Sequence, residues 1–405
     1  MPEDTAEGGA LTGLVVVDFT RVVSGPYATQ ILGDLGADII KVERIEGGDD
    51  ARPYGVTGDN AMPGPTFIAL NRNKRSIALD LKRPEGRDIV TRLLRSADVA
   101  IHNFRPGVMK RLGIDYESVS HENPRIVYCE ITGYGDVGPQ RETAANDLAI
   151  QSYSGLLGIT GEAHGAPVRV PTPVADITAG LYATIGILAA LQHREKSGRG
   201  QLVETNMLEG QINMMSYMFV DYWMNGVIPQ RMGTGNRMGL PNQAFPTSDG
   251  WVCIVASNDR RWISCCKALE CVELLTDPRF DTLVHRYQHR EELVEVVSAA
   301  SRKYTTEECL RRLREGGVPC SPVNLMPTIA ADEQLAALGT IVSMEVPGRG
   351  TVKVVRSPLH MSATPVSERL SPPVMMGAQT DEILAGVGYT AEEIMALRAD
   401  GLVAG

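Results

Sequence analysis

Strands and helices alternate through the first third of the chain, which predicts an α/β fold with a parallel sheet and helices on both faces. The strand–helix–strand spacing suits a parallel crossover, so the sheet is expected to be doubly wound and Rossmann-like. At 405 residues the chain exceeds a single core. A stretch rich in Gly and Pro at Asn225–Asn242 marks the passage out of a large domain at 1–225 into a smaller α/β domain at 226–325.

Leu14–Phe19 is an apolar run bounded by turn residues and reads as a buried strand. Ser24-Gly25-Pro26 marks a helix start, with Ser as cap and Pro in the first turn, and the helix is expected from Tyr27 to Leu35. Ala37–Glu43 is the next strand. The intervening turn, Arg21–Pro26, lacks G-x-G-x-x-G, which disfavours nicotinamide and flavin chemistry. Gly47–Gly64 reads as a long surface loop, a class of segment that often carries function.

Polar Asn71–Ser76 leads into a strand at Ile77–Lys82, and a helix beginning near Pro84 places Ile89, Leu93 and Leu94 on one face. Ala97–Phe104 and Arg125–Ile131 are further strands, with a short basic helix carrying Lys110 and Arg111 between them. In such sheets ligands bind beyond the carboxyl ends of the strands. Arg44, Lys82, Asn103, Phe104, Arg105 and Tyr134 all fall at or just past such ends. Most Lys and Arg side chains are solvated surface, but this repeated placement marks a site able to neutralise a phosphorylated ligand.

Pro171–Gly180 is a Pro-rich approach to the most apolar helical stretch, Leu181–Leu191, and Asp176 is expected at that helix start. Locally it reads as an N-cap that complements the helix dipole. Gln201–Thr205 is a strand, and a Met-rich helix at Met207–Met224 suits core or subunit packing. The smaller domain opens with the strand Trp251–Val255 and continues mainly helical. His285 and His289 lie four apart, but without the Glu of H-E-x-x-H or a third ligand no metal is expected. Thr305 and Glu308 form a capping-box pattern, and Ile341–Val346 and Gly350–Val355 read as a strand pair.

The formal charge of −10 disfavours nucleic-acid and membrane-surface binding. The N-terminus has no signal-peptide pattern, and no apolar run reaches the ~20 residues of a membrane span. Seven cysteines without C-x-x-C argue against disulfides and structural zinc, and fit a cytoplasmic setting.

From end to end the chain resembles the class III CoA-transferases. The resemblance is carried by Leu11–Phe19, Ser24-Gly25-Pro26, Gly36–Glu43, Asn73–Ile77, Asn103-Phe104-Arg105-Pro106-Gly107, Ile131–Gly135, Gly198-Arg199-Gly200-Gln201 and Gly377–Thr380. It implies Asp176 as a nucleophile. It further implies coenzyme A contacts at Val22, Val23, Arg44, Leu79, Lys82, Asn103, Phe104 and Arg111, and a lid around Gly233 and Gly235. It also implies that the chain returns to the large domain over 326–405, and that two subunits interlock as a homodimer. The spaced glycines of the lid differ from the unbroken run of the formyl-CoA/oxalate branch, and Thr132 stands where some members carry Lys.

The expected reaction moves CoA from an acyl-CoA to a small carboxylic acid. An ordinary Asp is ionised at neutral pH and needs no base to attack the thioester. An aspartyl anhydride and an aspartyl-CoA thioester follow in turn, and the first N–H groups of the following helix are candidates to hold the oxyanion. Arg52 and Arg72 are candidates for a second carboxylate of a dicarboxylic substrate, or for structural charges. One alternative is an α-methylacyl-CoA racemase. It needs a second acid/base on the opposite face of the α-carbon, and its relatives supply a His where this chain has Asn146. The other is a non-catalytic CoA-binding protein, which an intact Asp176 motif disfavours.

Overall fold

The computed structural model describes residues 9–55, 63–237, 239–366 and 370–405. Most of the acidic N-terminal stretch, and residues 56–62 of the expected long loop, lie outside the described residues. The chain forms two compact units: 1–156 with 170–227 and 336–405, and 157–169 with 228–335.

The larger unit is built on a seven-stranded sheet. Its strands are β1 (Val15–Asp18), β2 (Asp38–Glu43), β3 (Lys74–Leu79), β4 (Val99–His102), β5 (Val127–Thr132), β6 (Leu202–Asn206) and the short C-terminal β12 (Val403–Ala404). Their order is β12-β3-β2-β1-β4-β5-β6, parallel throughout except for β12, which runs antiparallel to β3. The order reverses between β1 and β4, which is where a doubly wound sheet opens a crevice for ligands. Successive strand residues point to opposite faces. Val17, Ile40 and Ala100 therefore join one core with Leu93 and Leu94, while Val16, Ile39 and Val99 join the other with Ala179 and Ala183.

β3 begins three residues before its expected start. The stretch Asn71–Ser76 looks like a polar loop, yet Lys74 and Ser76 are buried strand residues. Lys74 Nζ sits 3.1 Å from Asp18 Oδ2 and donates to Thr29 Oγ1 at 2.7 Å and Asn71 Oδ1 at 3.0 Å. The Asp18 carboxyl is held down to about 2: burial would raise it, but Lys74, Lys41 and the Thr20 and Thr29 hydroxyls outweigh that. Burial pushes the Lys74 ammonium down to about 8 against the pull of Asp18.

The expected helix over Met207–Met224 is two, Met207–Met214 and Ser216–Asn225. The break falls at Met215, whose N–H turns to Ile212 O in a tight 3₁₀-type bond. The apolar helix after Asp176 is longer than expected, Val174–Ser197, and is long and apolar enough to cross a membrane. Its Ala175, Ala179, Ala183 and Ile187 are buried in the core beneath the sheet. The hairpin of β10 (Ile341–Val346) and β11 (Gly350–Val355) has the expected bounds.

The smaller unit packs helices on an antiparallel sheet of β7 (Asn242–Pro246), β8 (Trp251–Val255) and β9 (Cys320–Pro322). Its core gathers Phe245, Trp262, Phe280, Leu293 and Leu313. His285 and His289 each face a carboxylate, Asp281 at 2.7 Å and Glu292 at 2.8 Å. Thr305 accepts the Glu308 N–H, but the Glu308 carboxylate goes to Arg311 and Arg312, so only half the capping box forms. All seven cysteines are free thiols.

Candidate active site

The turn after β1 serves two neighbouring features of the larger unit. Thr20 and Arg21 line a cleft of about 430 Å³, while Ser24, a few residues on, opens the helix Ser24–Asp34 and faces Asp176. Ser24 does not cap its own helix. Its hydroxyl and N–H instead favour the charged form of the Asp176 carboxylate. A Cβ at Gly180 would lie 2.5 Å from the Ser24 carbonyl oxygen, so only glycine lets the two helices approach this closely.

Asp176 sits in the first turn of Val174–Ser197 but is not the N-cap, which is Pro173. Asp147 supplies the capping carboxylate from a different helix: its Oδ1 accepts the Ala175 N–H at 2.9 Å. The Val174 N–H is bonded to Thr172 O. The first two donors of this helix are therefore engaged, which leaves them unsuited to the expected oxyanion role. The N–H that faces the carboxylate belongs to Ser24, at the positive end of another helix. Burial, and then the charge of Asp147, raise the Asp176 carboxyl to about 6, away from the ordinary value expected from sequence.

Of the expected CoA contacts, Arg44, Leu79, Lys82 and Phe104 line one cleft beyond the ends of β1–β4. Val22 lies in the adjoining turn with φ +69, a left-handed conformation unusual for a β-branched residue. Its N–H donates to Asp49 Oδ1 at 3.0 Å, and Asp49 is locked by Lys41 at 2.8 Å. Val23 is the residue before the helix. Asn103 ties the turn together: it accepts the Arg21 N–H at 2.8 Å and donates to Arg21 O at 2.7 Å and Ser24 Oγ at 3.1 Å. Arg105 and Arg111 are exposed, and neither they nor Tyr134 line the cleft. Tyr134 packs edge-on against Tyr153.

Gly233 and Gly235 lie in the smaller unit, where the Gly233 N–H donates to Gly161 O at 2.8 Å. Arg52 and Arg72 are structural. Arg72 grips buried Asp34 with two bonds at 2.9 and 2.6 Å, and Arg52 grips Glu43 at 2.7 and 2.6 Å. Asn146 caps the helix Asp147–Tyr153 through the Ala149 N–H. Arg21 and Asp147 went unmarked in the sequence, and Ser24 stands out there only as a helix cap within a family-like motif. The strand-end rule that marks Arg44 also reaches Arg21, whereas no local pattern points Ser24 at Asp176 or Asp147 at Ala175.

A family model described as CoA-transferase family III matches residues 11–380. The chain is 37% identical over 382 residues to the succinate–glutarate CoA-transferase of Agrobacterium fabrum, covering 93% of this chain and 95% of that protein. It is 36% identical over 379 residues to the succinyl-CoA:glutarate CoA-transferase of Homo sapiens, covering 93% and 86%. A crystal structure of a CaiB/BaiF family protein from Brucella suis matches with a TM-score of 0.84 at 34% identity, covering 94% of this chain and 100% of that one. With strand order, strand-end cleft and full-length likeness in agreement, the chain belongs to CoA-transferase family III.

Proposed function

We propose that the protein transfers CoA from a succinyl-CoA-like donor to a short dicarboxylic acid, with Asp176 as nucleophile. The observation that carries this reading is the shared turn: Thr20 and Arg21 face the strand-end cleft while Ser24 faces Asp176. The substrate class is supported by the names of the relatives, which act on succinate, glutarate and mesaconate or their thioesters. Attack of the Asp176 carboxylate on the thioester carbonyl expels CoA thiolate and leaves a mixed anhydride. The thiolate then attacks the aspartyl carbonyl, releasing the donor acid and forming an aspartyl-CoA thioester. The acceptor acid runs the same steps in reverse. The cleft keeps CoA beside the reacting carbonyl throughout, which makes each step effectively intramolecular. The Ser24 N–H is suited to stabilise the oxyanion.

Asn146 as a helix cap has no proton to shuttle, which supports transfer over racemisation. A homodimer is supported by the apolar surface of the larger unit. Trp223 and Met224 are 72% and 76% exposed, and an apolar groove of about 1130 Å³ is lined by Tyr27, Leu181, Ile185 and Leu188. A monomer in sedimentation equilibrium would remove that part of the proposal.

Incubation with succinyl-CoA and a panel of free acids is the direct test. Transfer to C4–C5 dicarboxylates is expected, with a borohydride-reducible adduct on the peptide containing Asp176. Transfer without any adduct there would overturn the mechanism. Loss of α-deuterium from a branched acyl-CoA without an acceptor would favour the racemase instead.

The pH profile follows from the raised carboxyl. The charged form attacks, so kcat/KM is expected to fall about tenfold per pH unit below about pH 6. Asp147→Asn removes a neighbouring negative charge and is expected to move that midpoint toward acid. A midpoint that stays fixed would rule out the Asp147 charge as a contributor.

A further inference from the structure

Two side chains of the helix Asp147–Tyr153 hold the stretch of chain that leads to Asp176. Asp147 and Gln151 lie one turn apart on the same face of that helix, and both are buried. Gln151 clasps Val170 on both sides: its Oε1 accepts the Val170 N–H at 2.9 Å, and its Nε2 donates to Val170 O at 3.2 Å. Asp147 takes the other end, where its Oδ1 accepts the Ala175 N–H. Between these two points lie Pro171 and Pro173, which have no N–H to give to a helix or sheet ladder. Both ends of the approach are thus fixed by side chains of another helix. That helix is itself anchored: Asn146 caps it, and Ile150 is buried in the core that also holds Ala175 and Ala179.

The pair also fixes its own polarity. Gln151 Nε2 donates to Asp147 Oδ2 at 2.7 Å while Asp147 Oδ1 serves Ala175. A carboxylate presents an acceptor on both sides, whereas an amide at position 147 would turn its N–H groups toward one of the two donors. Gln151 is equally constrained. Turning its amide over would set donor against donor and acceptor against acceptor at Val170. With Gln151 0% exposed, any lost bond leaves buried polar atoms unpaired.

We infer that Asp147 and Gln151 are positioning residues for Asp176, fixing both ends of the Val170–Ala175 approach and with it the direction of the carboxylate. The inference rests on the reading of Asp176 as the nucleophile. Asp176 follows Ala175 directly, so a shift in the first turn of its helix swings the reacting oxygens. The arrangement sets a second negative charge near the nucleophile, a repulsion that Asn at position 147 would avoid. The need for two acceptors explains why a carboxylate stands there.

The test measures kcat, KM and CoA affinity with succinyl-CoA as donor, well above the pH midpoint of Asp176, so that protonation of the nucleophile plays no part. Gln151→Met keeps the side-chain volume but releases Val170. It is expected to lower kcat about 30- to 100-fold while CoA affinity stays within about twofold of wild type. Gln151→Glu sets carboxylate against carboxylate and is expected to lose about 100-fold. Adding Asp147→Asn turns an amide N–H toward the new carboxylate and is expected to restore at least about tenfold. A kcat within about threefold of wild type in Gln151→Met overturns the positioning role, as does a CoA affinity that falls in step with kcat. If Gln151→Met does not fold, the double variant decides, and turnover no better than that of Gln151→Glu overturns the inference. Wild-type protein that transfers CoA without an adduct on Asp176 refutes the nucleophile reading and the positioning role with it. An adduct that forms at the wild-type rate in Gln151→Met overturns the positioning role alone.

Discussion

Replacing Asp176 with Asn is expected to reduce CoA transfer by at least about 10⁴-fold while the strand-end cleft still binds CoA. The amide has the shape of the carboxylate but lacks the charge that attacks the thioester, so no anhydride forms and no adduct accumulates. Asp176→Ala is expected to behave alike. Asp176→Glu keeps the charge but pushes it further from the helix, and misplacement on that scale costs about 10²-fold. Stopped assays with succinyl-CoA, paired with titration of CoA into each variant, separate the chemical step from binding. Residual transfer within tenfold of wild type in Asp176→Asn would remove Asp176 from the mechanism. A lost affinity for CoA in the same variant would mean that the carboxylate serves the cleft instead.

Lys74→Met is expected to destabilise the larger unit by about 3–5 kcal/mol, because it leaves the buried Asp18 carboxylate without its ion-pair partner. A loss of that size lowers the melting temperature by roughly 10 °C. The sign of the pH dependence follows from Asp18. In the wild type its carboxyl is held near 2, so its stabilising contribution is present above the ordinary carboxylate range and is lost as pH falls through about 2. Without Lys74 that carboxyl rises, and protonation relieves the unpaired charge. The deficit of the variant therefore narrows on the acid side. A double variant, Asp18→Asn with Lys74→Met, is expected to recover part of the loss. Scanning calorimetry across pH checks all three points. A Lys74→Met protein that melts within two degrees of wild type would show that the pair contributes little.

Much of the fold is legible because parallel strands buried on both faces write themselves as unbroken apolar runs. Val15-Val16-Val17 is of that kind, and Ile39-Ile40 and Val127-Tyr128-Cys129 are short runs inside strands that also carry charged residues. Legibility ends where burial is ionic. Lys74 reads as a turn residue because nothing local announces that Asp18 awaits it. The strand-end rule found Arg44, Lys82 and Phe104 in one cleft, since sheet topology alone brings those positions together. The charge of Arg72 could not by itself separate a substrate contact from a structural role, and its fork is filled by Asp34. The nucleophile candidate lay where the helix start predicted. Its cap did not: Asp147 reaches Ala175 across 28 positions, a contact that exists only after the fold does.

The two-residue strand β12 has a consequence for how the protein is made. Its pairing with β3 joins Val403 to Leu79, and the Ala78 N–H donates to the Thr380 hydroxyl 302 positions downstream. Gly401, just before that strand, lines the cleft with Arg21 and Arg44. Contacts of such long sequence separation form slowly, because the intervening chain must be ordered or threaded aside first. During synthesis strands β1–β4 emerge with β3 still an open edge, and the residues that cover it follow only after β5, β6 and the smaller unit. The strand-end cleft is thus completed only after that intervening stretch has been made, and until then the β3 edge is open to unwanted pairing.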